Sequence, residues 1–194
     1  MKLQNKGYIY FNKLLERRLK SGLTGRALKV FEKYTKLQRT AVLRALTIGN
    51  SDPQLQIVAF RDERYGYFPG GGRRIIQIND LIVKQYGVIL TFRTMKDIHD
   101  QAMVEMLIKE VEKRLLAVVY HEMVHWGDYN SDLKFSDKRN DKPDWGTRWE
   151  KEVYGMALST DAIQDCWGLF IHKNEDNTKV VVPYFPENHT GLQP

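Results

Sequence analysis

The longest periodic segment of this chain, residues 101–126, constrains the fold more than any other. Met103, Leu107, Val111, Leu115, Val118 and Val119 recur at helical spacing, and the run closes in AVVYHEMVHW, where apolar residues occur on every side. A long helix that is apolar all round near its end belongs in a core rather than on a surface. Ahead of it, the spacing of Leu23, Ala27, Val30, Phe31, Tyr34, Leu37, Val42 and Leu46 predicts helical structure over residues 24–48, divided at Gly22 from a first helix over 8–20. A turn cluster at 49–53 leads into a predicted strand through Leu55, Ile57, Val58 and Phe60, and Ile75, Ile76 and Ile78 mark a second. The glycine-rich loop between them, Phe68–Gly72, lacks the Lys-Ser or Lys-Thr and following helix of a phosphate-binding loop, so it reads as a hairpin or surface loop. Residues 127–146 have the polar composition of a surface excursion, a short helix is predicted from about Thr147 to Ala162, and strands at 168–172 and 179–182 precede a loose tail. This order predicts an α+β domain of 194 residues.

Chemistry is concentrated at His121, Glu122 and His125, an HExxH pattern inside the predicted long helix. Residues four apart share one face of a helix, with Cβ atoms roughly 6 Å apart, so both imidazoles can reach one ion. Glu122 projects about 100° round the helix, beside such an ion rather than on it, where it can accept a proton from water. With 5 His and 11 Glu in the chain, chance supplies roughly 0.007 such matches. Cys166 is the only cysteine, which excludes an intrachain disulfide framework and any multi-cysteine site, and its apolar neighbours read as those of an inert buried thiol. A catalytic zinc needs a third protein ligand. Asp128, three residues past His125, shares the ligand face if the helix continues through Gly127, and otherwise orients a ligand imidazole from the helix end. His99, His172 and His189 have no partner at ligand spacing and receive no role.

Downstream, Gly146-Thr147-Arg148-Trp149-Glu150-Lys151-Glu152-Val153-Tyr154-Gly155 resembles the second ligand element of zinc peptidases of the zincin class. In gluzincins a Glu on a second helix completes the site, and Glu150 lies 25 residues after His125. The aspzincin element GTxxDxxYG is matched at Gly146 and Thr147, has Glu150 at its Asp position, and meets Tyr154-Gly155 one residue late. HEMVHWGD followed by WEKEVYG most resembles metallopeptidase toxin domains carried by effectors of bacterial contact-dependent secretion, type VI systems included, over residues 117–157. Such a resemblance implies one zincin-like domain over residues 1–194, helical in 1–50 and catalytic in 51–194, with a small mixed sheet, the HExxH helix and a second ligand-bearing helix. It implies Zn2+ held by His121, His125 and Glu150, with Glu122 as general base. Glu152 is the rival of Glu150, about 200° away round the helix. Tyr154, one turn after Glu150, is either an oxyanion donor or a packing residue. Trp126 and Trp149 are expected to pack the helices together. An extended peptide would add to an edge strand, for which Arg74–Asn79 is the candidate.

The same resemblance implies a protein or peptide substrate, a cognate immunity protein or secretion-machine carrier as partner, and delivery into a target cell. The opening residues lack a secretory h-region and no apolar run is long enough to span a membrane, so synthesis in the cytoplasm without a Sec signal is the expectation. Two other readings compete. The net charge of +6, with basic residues crowded before residue 50, suits a nucleic-acid- or partner-binding module with a vestigial metal site, although solvated helix faces explain the spacing and nucleic acid is not the expected partner. HExxH chemistry also suits an amidase acting on the peptide of a cell wall.

Overall fold

The computed structural model describes residues 1–4, 7–60, 64–70, 74–94, 101–132, 144–159, 169–173 and 179–183. They fall into two compact units, Met1–Ser159 and Thr160–Pro194. The first is an α+β assembly. It opens with the short strand β1 (Lys2–Leu3) and helices α1 (Ile9–Arg18), α2 (Gly25–Thr35) and α3 (Arg39–Leu46). Strands β2 (Gln54–Val58), β3 (Gly66–Tyr67) and β4 (Ile75–Asn79) follow, then helices α4 (Asp80–Phe92), α5 (Gln101–Asp132) and α6 (Trp145–Tyr154).

Each N-terminal helix buries a stripe at three- and four-residue spacing: Phe11, Leu14 and Leu15 on α1, Leu28, Phe31 and Thr35 on α2, Val42, Ala45 and Leu46 on α3. The helix expected to run from 24 to 48 is broken where Lys36 adopts a left-handed conformation (φ 55°, ψ 11°), which ends α2 and lets α3 start after Gln38. β1, β2 and β4 run parallel, β3 is antiparallel to β4, and the sheet order is β1-β2-β4-β3. Leu55 and Ile57 of β2 and Ile76 and Ile78 of β4 share one buried face, the strict alternation of a sheet covered on that side. β4 therefore has β2 and β3 on its two sides, and the edges are β1 and β3: Arg74–Asn79 does not occupy the edge position expected of it.

Asn79 locks this arrangement. Its side-chain oxygen caps α4 by accepting from the Leu81 N–H at 2.9 Å, its Nδ2 donates to the Arg64 carbonyl, and its backbone N–H donates to the Tyr65 carbonyl. α4 itself was not anticipated from the sequence.

α5 has 32 residues, about 48 Å at 1.5 Å per residue, and packs against α2, α4, α6, β3 and β4. Ala117, Val118, Val119, Tyr120, Met123 and Val124 are all buried, which explains why the sequence is apolar on every side there. The helix runs on through Gly127 to Asp132, further than predicted. A Cβ on Gly127 would stand 2.6 Å from Cβ of Thr35, so its bare backbone is what α2 packs against. Deeper along α5, Glu112 accepts from Arg17 (2.6 Å) and from the Tyr86 hydroxyl (2.7 Å), tying α1 and α4 to the central helix.

In the second unit, β5 (Leu169–Lys173) and β6 (Lys179–Pro183) pair antiparallel from Leu169↔Pro183 to Lys173↔Lys179, as the sequence predicts. Cys166, His99, His189 and the tail lie outside the described residues, as does 133–143 of the polar excursion. Among the described residues no helix is long and apolar enough to cross a membrane.

Candidate metal centre

His121 and His125 stand one turn apart on α5, with ring centroids 5.0 Å apart and Nε2 atoms separated by 3.2 Å. A third donor comes from the start of α6. Asp144 is its N-cap: Oδ1 accepts the Thr147 N–H at 2.7 Å, and this leaves Oδ2 3.6 Å from His121 Nε2 and 3.7 Å from His125 Nε2. These are ion-pair separations, too long for hydrogen bonds. In a tetrahedral zinc site with ligands 2.0–2.2 Å from the ion, neighbouring ligand atoms stand roughly 3.3–3.6 Å apart. The three donor atoms, 3.2, 3.6 and 3.7 Å apart, come within about 0.1 Å of that spacing, and two imidazoles with one carboxylate suit a borderline-soft divalent ion.

Glu150 is brought to the same histidine from the other side. Its Oε1 lies 2.6 Å from His121 Nδ1, the ring nitrogen opposite the Nε2 pair, and the residue is fully buried. Two further groups reach this carboxylate from just beyond α6: the Ser159 N–H donates to Oε2 at 2.7 Å and the Ser159 hydroxyl donates to Oε1. Asp144, rather than Glu150, thus shares the side of the Nε2 atoms. Sequence reasoning missed Asp144 and Ser159. The legible signal for Asp144 was its place as an N-cap residue immediately before a helix.

Two glycines let neighbouring backbone close on the motif. A Cβ on Gly146, in the first turn of α6, would stand 2.6 Å from three carbons of the His121 ring. A Cβ on Gly66, in the edge strand β3, would stand 2.6 Å from Cγ and Oε1 of Glu122. The backbone of β3 therefore lies directly against the Glu122 side chain.

The other expected residues are placed elsewhere. Asp128 is buried and pairs with the exposed Lys36, whose Nζ is 3.4 Å from its Oδ1 and 4.9 Å from the centre of the Trp145 ring. Glu152 faces α2, where Lys33 (2.7 Å) and the Tyr34 hydroxyl (3.0 Å) both donate to it. Tyr154 stacks edge-on against Trp149, with Lys113 over its ring. Trp149 is wholly buried between Phe31 of α2 and Tyr120 of α5, and so joins three helices; Trp126 is nearly buried.

Charge around the cluster is one-sided, since Glu122, Asp144 and Glu150 bring three carboxylates to two imidazoles. Burial, the largest influence on His121, lowers its pKa, yet Asp144, Glu150 and Glu122 carry it well above the ordinary histidine value. Burial raises the pKa of Glu122, and the two histidines offset only part of that. On Asp144 burial also acts upward, but contacts with His121 and His125 overcome it and hold the carboxyl far below the usual range. Surroundings that draw a proton onto an imidazole attract a divalent cation for the same reason, and the two compete.

No curated protein and no solved structure matches the chain. The family model described as metallopeptidase toxin 3 matches residues 4–155, a stretch that holds α5, α6 and every residue of the cluster except Ser159. With the match extending over most of its length, the chain belongs to the metallopeptidase toxin 3 family.

Proposed function

We propose that this chain hydrolyses peptide bonds with a zinc ion held by His121, His125 and Asp144, and with Glu122 as general base. The reading rests on the convergence of two imidazole nitrogens and one carboxylate oxygen within 4.8 Å of one another on α5 and the α6 N-cap. When bound, the ion supplies a charge that polarises the scissile carbonyl and lowers the pKa of water. The protein's own part follows from the side chains. Glu150 accepts from Nδ1–H of His121, which fixes the ring tautomer and leaves the Nε2 lone pair facing His125 and Asp144. Glu122, one residue on, takes a proton from the attacking water and returns it to the leaving amine. Its burial against β3 excludes bulk water and keeps its carboxylate a stronger base than an exposed one. Tyr154 packs on Trp149 and serves the helix interface.

Asp144 here replaces Glu150 as third ligand, because a carboxylate on Nδ1 orients a ring while one beside Nε2 shares its ion. Zinc affinity of Asp144→Ala, Glu150→Ala and Glu122→Gln, measured by chelator competition, tests the set. Asp144→Ala is expected to lose more affinity than Glu150→Ala, and Glu122→Gln to keep its zinc without cleaving a peptide. Loss of zinc from Glu150→Ala with retention by Asp144→Ala would return the ligand role to Glu150. As a toxin-family member the chain is proposed to act on protein in a target cell after delivery by a contact-dependent system, with a cognate immunity protein in the producing cell.

A further inference from the structure

The chain past α6 does more than leave the helix. Gly155 takes a left-handed conformation (φ 81°), with its N–H on the Lys151 carbonyl, and stops the helix at Tyr154, well short of Ala162. The strap that follows turns inward: Ala157 and Leu158 are fully buried, and the next residue, Ser159, is 7% exposed. Two apolar anchors thereby deliver a polar residue into the interior, where burial without partners costs free energy.

Ser159 is fully engaged there. Its N–H donates to Glu150 Oε2 at 2.7 Å, its hydroxyl donates to Oε1, and the same Oγ lies 3.1 Å from His121 Nδ1. Glu150 then has three donors, from His121 and twice from Ser159, on a carboxylate without solvent contact. A Ser–His–Glu nucleophilic relay is ruled out by the same geometry, because serine and carboxylate meet the imidazole at one nitrogen rather than at opposite ones.

We infer that Ser159 is a positioning residue for the metal centre: by holding both oxygens of Glu150 it fixes the carboxylate that orients His121, although it touches neither ion nor substrate. This inference rests on the proposed ligand set, and Ser159 lies beyond the residues that the family model matches. The hydroxyl is the testable part, because alanine and threonine at 159 both keep the backbone N–H.

The experiment compares Zn2+ affinity, by chelator competition, for the parent chain, Ser159→Ala, Ser159→Thr, Glu150→Ala and the double variant Ser159→Ala/Glu150→Ala, with the thermal midpoint of each metal-free protein as a check on folding. Outer partners of metal-bound histidines typically change affinity about 10–100-fold. Ser159→Ala is expected to weaken Zn2+ binding by on the order of tenfold, and Ser159→Thr to restore it. In the Glu150→Ala background the same change is expected to alter affinity less than about twofold, since Ser159 then has nothing to act through. Parent-like affinity in Ser159→Ala, or an equal loss with and without Glu150, would overturn the inference. Should His121→Ala and His125→Ala also keep parent affinity, the ligand set itself fails; should they lose Zn2+ while Ser159→Ala does not, only the role of Ser159 fails.

Discussion

Gly146 lies flat against the imidazole of His121, so closely that a methyl group at 146 would stand 2.6 Å from three carbons of the ring. In an ordinary helix, Gly→Ala gains about 1 kcal/mol. Here the ring cannot swing away, because Glu150 holds one nitrogen and the other faces His125 and Asp144. Gly146→Ala is therefore expected to bind Zn2+ at least about tenfold more weakly and to melt no higher than the parent. Calorimetric unfolding with and without zinc reads both; a variant that melts higher and keeps its affinity would show that the contact carries no strain.

Glu122 has a comparable neighbour in Gly66, which lets experiment separate the proposed base from the proposed ligands. The three atoms nearest a methyl group at 66 would all belong to Glu122, namely Cγ, Oε1 and Cδ. Peptide cleavage by Gly66→Ala is expected to fall by tenfold or more, within the roughly 10²–10⁴ that a positioned base contributes, with zinc content unchanged. Equal loss of metal and activity would point to a general disturbance of β3 instead.

The pH dependence follows from the direction of the Glu122 shift. Burial raises its pKa above the ordinary 4.5 in the metal-free protein, and a base must be ionised to act, so activity rises with pH as Glu122 ionises, through a midpoint that the charge of a bound cation draws back down. Zinc occupancy measured at each pH separates this limb from loss of the ion to protons on the ligands. In the metal-free protein, a Glu122 carboxyl that titrates at or below 4.5 would contradict the assigned burial.

Away from the centre, Glu112 tests the buried join between α1, α4 and α5. Its Oε1 accepts from Arg17 and Tyr86. Glu112→Ala frees Arg17 to hydrate, since that side chain is 57% exposed, but leaves the buried Tyr86 hydroxyl without its acceptor. A loss of about 1–3 kcal/mol is expected in urea unfolding, with a smaller loss for Tyr86→Phe, which removes donor and need together. Zinc affinity should not change in either.

What could be read from the sequence was local. HExxH declared itself because helical spacing alone puts His121 and His125 on one face, and the apolar residues around them announced a buried helix. Spacing singles out Glu150, which stands against His121 in the structure, but spacing along α6 does not say which edge of that ring it meets. Asp144 and Ser159 escaped because their roles depend on where a loop and a strap return in space. The same holds for the left-handed turn at Lys36, which splits an apparently continuous helical pattern, and for Gly127, whose missing side chain admits α2 where composition read a helix end. α4 went unread because its sequence, DLIVKQYGVILTF, shows apolar residues in runs rather than a clean stripe.

Asp144 answers to two masters, one oxygen on the Thr147 amide and the other beside the imidazoles. Asparagine, serine or threonine would cap the helix yet offer no anionic oxygen; glutamate carries the charge but is a poor cap. On the proposed ligand set, winding the first turn of α6 and loading the ion become one equilibrium, and slowed hydrogen exchange at the Thr147 amide is expected on adding zinc without any substrate present.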